Sequence, residues 1–380
     1  MMQMLKKELE GRVIILQELM KKNSFDSYII TAEEDIWYLT NITYKPEERP
    51  FFVFVTLHSK PMLVVPQLEK AHLSIGLLDC EIITYWEYPS TIGANWYDVM
   101  NDLLKHDQRT GIESNSKLEV YIHLQSKNII PSGLIAEMRK IKRPYELELI
   151  RKLASMTDRA MQAMLQKVRK NSGIAESFAV SRGIQNELMA HRQFDILTTS
   201  LLTAVWPAPK SAMPHSIPDI FEDQLGDGPN VAMAYFRING YAAECERTFF
   251  VSAPTREEKE LFQHMMIARD AALSVLKAGI HASDVDAAAK GYLEKHGLGF
   301  TLLHRTGHGI GLGNHEAPFL AEGSDEILQE NMVVSIEPGI YLDGVGGFRH
   351  SDTVLITKNG FEWLTQSARD LDVLTILSSK

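Results

Sequence analysis

The chain has 380 residues, 45% apolar and 23% charged, with a formal charge of −10. That length and balance describe two or three folded domains and exclude a disordered chain, while the acidic charge argues against generic nucleic-acid binding through basic patches. Apolar runs such as residues 51–55 fall far short of a membrane span, the first ten residues have no apolar signal core behind them, and Cys80 and Cys245 form no CxxC pair. A soluble, cytoplasmic protein without membrane contact is expected.

In chain order, Leu5, Leu9, Val13, Leu16 and Met20 recur at helical spacing and predict one buried helical stripe. Runs at 27–30, 51–56, 62–65 and 81–85 predict strands. The second and third join as a hairpin through His58-Ser59-Lys60-Pro61. Segments 97–105 and 118–127 predict helices covering that sheet. The basic stretch 139–143, closed by Pro144, predicts a boundary between domains 1–140 and 141–380. Pro144 suits the first turn of a long helix with Ile150, Leu153, Thr157, Ala160, Met164 and Val168 on one face.

The second half carries a weak repeat. The long helix is followed by Gly173-Ile174, a helix to about His191, an apolar stretch at 196–205 and a small-residue loop ending in His215. Later, a helix over 255–278 opens with the capping box Thr255-x-x-Glu258 and stops at Gly279-Ile280. A second helix over 283–296, an apolar stretch at 300–303 and a loop with His308 and His315 complete the copy. If the repeat is real, His215 and His308 face one another across a pseudo-two-fold cleft.

Three segments are able to carry chemistry. Residues 306–316 place four glycines around His308 and His315, allowing close backbone approach to a ligand, although a plain glycine-rich turn reads the same way. Glu337-Pro338-Gly339 puts a carboxylate at the end of an apolar run, as surface turns also do. Residues 240–248 alternate as a strand, with Glu244, Glu246 and Thr248 on one face and Cys245 and Arg247 on the other. At a sheet edge those glutamates are solvated; in a central strand at least one is buried and needs a cationic partner.

Taken in order, these segments resemble the pita-bread superfamily of creatinase, prolidase, aminopeptidase P and methionine aminopeptidase. The resemblance is carried by residues 306–316 followed by 334–341, with the basic linker before residues 145–151. It implies an α+β chain: an N-terminal creatinase-like α/β domain, then a pita-bread domain with a curved antiparallel sheet and pseudo-two-fold helices. It also implies a homodimer.

In the family's metallopeptidases, two divalent ions sit on two aspartates, one histidine and two glutamates. Here the resemblance places the histidine at His308 and one glutamate at Glu337, while the other positions fall at Met233, Glu244 and Ser351. Four carboxylates balance two divalent ions; this chain keeps two, with a thioether and a hydroxyl at the remaining positions. The expectation drawn from this is a metal-free, creatinase-like hydrolase of a C–N bond in a small cationic or zwitterionic substrate, without a cofactor. His215 is then the general acid/base, with Glu244, Glu337 and His308 catalytic. His315, Arg349 and Arg49 are the expected substrate-binding residues. The alternatives are an Xaa-Pro dipeptidase or aminopeptidase with Mn or Co on His308, Glu337 and Glu244, acting on a dipeptide, and a non-catalytic pita-bread binding protein.

Overall fold

The computed structural model describes residues 2–45, 47–73, 78–124 and 128–377. The chain divides into two compact units, Met1–Arg139 and Lys140–Lys380.

The first unit runs α1 (Met2–Lys22), β1 (Ser27–Ile30), α2 (Glu33–Thr40), β2 (Phe52–Thr56), β3 (Met62–Pro66), α3 (Lys70–Leu73), β4 (Glu81–Tyr85), α4 (Trp96–Leu103), β5 (Thr110–Glu113), α5 (Leu118–His123), β6 (Ile129–Ser132) and α6 (Leu134–Lys140). Its sheet has the order β4-β3-β2-β1-β5-β6. β2 and β3 pair antiparallel, as the predicted hairpin requires, whereas β1, β5 and β6 are parallel. Trp96 and Met100 of α4 pack with Phe52, Phe54, Val64 and Ile112. The α1 stripe buries Leu9, Val13, Leu16 and Met20. Each such side chain contributes about 1.5–3 kcal/mol by leaving water. The predicted helix over 118–127 is seen at Leu118–His123; residues 125–127 lie outside the described residues.

The second unit opens with α7 (Pro144–Lys167) and α8 (Ala175–Ala190), followed by β7 (Ser200–Trp206), β8 (Asn230–Ile238) and β9 (Tyr241–Phe249). Next come α9 (Arg256–Val275), α10 (Ala282–Lys295), β10 (Gly307–Gly309), β11 (Glu316–Leu320) and β12 (Val333–Ile336). It closes with β13 (Gly339–Leu342), β14 (Gly346–Arg349), β15 (Ser351–Thr357) and β16 (Gly360–Trp363). Pro144 occupies the first turn of α7. Thr255 Oγ1 accepts the Glu258 N–H at 3.2 Å and Glu258 Oε2 accepts the Thr255 N–H at 2.7 Å, completing the predicted box. The main sheet has the antiparallel order β11-β10-β12-β15-β9-β8-β7, with β16 on β15. The apolar run at 300–303 is no strand: it holds a single 3-10 turn, with Phe300 and Leu303 exposed.

β9 is central, and all nine of its residues are buried. The edge reading of this strand therefore fails, and its charged residues must be satisfied inside the protein.

Candidate metal centre and active site

Alternation along β9 sends Glu244 and Glu246 to one face and Arg247 to the other. On the other face Asp352 gathers three arginines, although Arg269 Nε and both ring nitrogens of His350 are buried there without a hydrogen-bond partner. Arg247 gives Nη2 to Asp352 Oδ1 at 2.8 Å and its remaining N–H groups to the carbonyls of Glu246, Ser351, Ser367 and Ala368. Arg269 of α9 reaches Asp352 Oδ2 at 2.5 Å, and Arg369 bonds both oxygens. Burial raises the Asp352 carboxyl, but the three guanidinium groups outweigh it and hold it well below the usual range.

The site face collects carboxylates and imidazole. β10 brings in His308, which pairs with Ser335 of β12. The strands approach so closely there that a Cβ on Gly307 would stand 2.0 Å from the Ser335 carbonyl oxygen, and one on Gly309 2.3 Å from that of Ala317. Glu337 follows β12, its N–H bonded to the Thr306 carbonyl at 2.8 Å. His308 Nε2 thus lies 3.4 Å from Glu244 Oε1 and 3.2 Å from Glu337 Oε1, with no directed hydrogen bond to either. One ligand atom from each of the three residues falls within 4.8 Å of the others. Burial alone would lower the His308 pKa; the two carboxylates push it well above the ordinary value. Burial would raise Glu337, yet His308, His304 and Arg349 bring it down to about 2.

His315 stacks on His308, with ring centroids 3.9 Å apart. Arg305 donates from Nη2 to His315 Nδ1 at 3.2 Å and lies over the Phe319 ring. Burial, then the neighbouring His308, lowers the His315 pKa. The neutral ring accepts at Nδ1 and therefore carries its proton on Nε2.

Glu246, noted in the sequence only for its strand face, lies on the same face, bonded to Arg349. Burial and the charges of Glu337 and Glu244 push its carboxyl up to about 8, against the pull of Arg349. Arg349 Nη2 donates to Glu246 Oε1 at 2.6 Å and Nη1 to the Tyr341 hydroxyl at 3.1 Å, so both terminal nitrogens of this expected substrate-binding arginine are already engaged. Arg349 is the cationic partner that a buried glutamate on β9 demanded. His215 lies in an exposed segment, close enough to His304 to affect its titration, and is not part of the ligand triad. Arg49, in the first unit, is paired with Glu87 and Glu48, each at 2.5 Å.

Residues 148–358 match the model of metallopeptidase family M24, and residues 12–141 match the creatinase/prolidase N-terminal domain. The chain belongs to metallopeptidase family M24. An Xaa-Pro dipeptidase of Lactobacillus delbrueckii subsp. lactis is 30% identical over 376 residues, covering 95% of this chain and 98% of the relative. The crystal structure of the prolidase from Pyrococcus horikoshii OT3 is similar with a TM-score of 0.79 and 26% identity, covering 95% of this chain and 99% of that one. The N-terminal domain of a FACT complex subunit from chickpea has a TM-score of 0.82 at 15% identity over 98% and 99% of the two chains; that likeness shows the fold alone.

These findings correct two expectations, the metal-independent creatinase-like activity and the absence of a cofactor. The family is one of metallopeptidases, its relatives include Xaa-Pro dipeptidases, and the triad of Glu244, His308 and Glu337 fits a divalent ion. The charge count that argued against metal assumed a pair of ions. One divalent ion needs two negative charges, and Glu244 and Glu337 supply them.

Proposed function

We propose that this chain is a metal-dependent dipeptidase acting on Xaa-Pro dipeptides, with a divalent ion on Glu244, His308 and Glu337. The observation that carries the reading is the convergence of those three donors around a buried Nε2 that has no directed hydrogen bond. An imidazole nitrogen with two carboxylate oxygens suits ions such as Mn²⁺, Co²⁺ or Zn²⁺. A bound ion of this kind supplies Lewis-acid polarisation and a water of lowered pKa.

The chain's own residues take the remaining tasks. Glu337 and Glu244 hold their carboxylates in the cluster, and Glu337 stays ionised throughout the working pH range. His315, held by Arg305 with its proton on Nε2, donates a hydrogen bond to the substrate carbonyl as charge develops there. His215, beside His304, delivers the proton to the leaving nitrogen. A cytoplasmic homodimer is part of the same proposal, supported by the family resemblance, by two unpaired cysteines and by the lack, among the described residues, of a helix long and apolar enough to cross a membrane.

The test is a dipeptide panel assayed before and after prolonged chelation. Xaa-Pro dipeptides are expected to be cleaved, with activity lost to chelator and restored by Mn²⁺ or Co²⁺. Full activity in chelator, or no cleavage of any dipeptide by metal-loaded protein, would sink the reading.

A further inference from the structure

Two family ligand positions fall here on residues that give a divalent cation little. Met233 and Ser351 both pair across the sheet with Glu246, so the three side chains stand in one row on the site face of β8, β9 and β15. A thioether is a soft ligand and a serine hydroxyl a neutral one. The Ser351 oxygen is also engaged, 2.8 Å from Ser335 Oγ and 3.3 Å from Glu244 Oε1.

The one carboxylate in that row is committed to a cation the chain itself supplies. Arg349, which bonds Glu246, is held in turn by a hydrogen-bond chain of defined polarity. His304 Nδ1 faces the Arg305 carbonyl at 2.8 Å and must donate to it, which leaves Nε2 as acceptor for the Tyr341 O–H at 2.8 Å. The Tyr341 oxygen then accepts from Arg349. Gly339 keeps space for this arrangement: a Cβ there would lie 2.5 Å from the Tyr341 ring.

Charge settles how many ions the face can hold. Glu244 and Glu337 bring two negative charges, while Arg349, which does not deprotonate in proteins, at least cancels Glu246, so that pair adds no net negative charge. One divalent ion brings the sum to zero. A second leaves two uncompensated positive charges in a buried site, beside an ion that repels it.

We infer that this chain binds a single divalent ion, and that Arg349, paired with Glu246, stands as a permanent internal cation in the row where a second ion would need its ligands. The inference rests on the metal-dependent reading above and deepens it.

The experiment uses the full-length chain, stripped with chelator and titrated with Mn²⁺ by calorimetry, metal analysis and electron paramagnetic resonance. One Mn²⁺ per chain is expected, with the six-line signal of an isolated ion. Two ions per chain, or the multiline signal of an exchange-coupled pair, overturns the inference and leaves the dipeptidase reading standing. Negligible binding with full activity overturns the reading itself. Arg349→Met, which frees Glu246, is expected to add a second binding event, while Arg349→Lys keeps the stoichiometry at one. A folded Arg349→Met variant that still binds one ion removes the arginine from the explanation. Should that variant fail to fold, the wild-type stoichiometry and signal decide alone.

Discussion

The two faces of β9 are both buried and both charged, and they differ in how their carboxylates are held. On the far face, Asp352 uses both oxygens, and Arg247 uses every N–H, on partners within the chain. On the site face, Glu246 Oε2 and His308 Nε2 are buried without a hydrogen-bond partner. Desolvating a charge is costly unless it is paired, so the first arrangement anchors the fold and the second is complete only with a ligand. Charge at the centre of a sheet therefore points to a ligand here because two carboxylates converge on one imidazole nitrogen, whereas Asp352 is surrounded by the chain's own arginines.

The largest effect should come from the site face. Glu337→Gln removes one ligand charge and is expected to lower kcat/KM on an Xaa-Pro dipeptide by on the order of 10²–10⁴-fold, the size of losing a positioned catalytic group. Because His308, His304 and Arg349 hold Glu337 ionised, the metal-free variant should also melt lower, so the loss is read per folded molecule. Retention of most of kcat/KM would remove Glu337 from the site.

The far face should respond chiefly in stability. Asp352→Asn leaves three arginines without their carboxylate and is expected to cost about 3–5 kcal/mol, read by denaturant unfolding, with kcat per folded molecule little changed. Its pH dependence has a definite sign. The folded carboxyl titrates lower than the unfolded one, so its stabilisation is fully present above the ordinary aspartate pKa of about 3.9 and fades as pH falls through the lower folded value. Unfolding midpoints measured from pH 7 to 3 should thus lose this contribution only below about pH 4, and the Asp352→Asn variant should show a shallower acid slope. Equal slopes would break the assignment.

The smallest change tests the boundary between the faces. Ser351→Ala deletes the hydroxyl between Ser335 and Glu244 and should cost only about 0.5–1.5 kcal/mol. The Mn²⁺ stoichiometry should be unaffected. A lost binding event would mean that the serine is itself a ligand.

Much of the architecture was legible in the residues. The α1 stripe, the β2–β3 hairpin, Pro144 at the start of α7 and the Thr255 capping box are local patterns, and each element forms where its pattern lies. Missed elements are those whose stability is borrowed. α2 is short, and its entry is held by Glu113 Oε2, which accepts the N–H groups of Thr31 and Ala32 at 2.7 and 2.8 Å from a strand about eighty positions away. In β5, Gly111 exists to accommodate the Tyr28 ring, which a Cβ would approach to 2.4 Å; as an isolated residue it argues against a strand.

For the site, the sequence by itself determined the donor inventory: His308 and Glu337 in their motifs, and Glu244 and Glu246 on one face of a strand; that Met233 and Ser351 stand where ligands are missing is what the family resemblance implied. Side-chain type and strand periodicity are properties of short windows, so no fold is needed to read them. Only the tertiary structure decided that β9 is central, that Glu246 belongs to Arg349, about a hundred residues further on, and that Glu244 turns instead toward His308. Pairing of buried charges depends on distance in space and on what each group gives up to water, and neither quantity is written in the order of the residues.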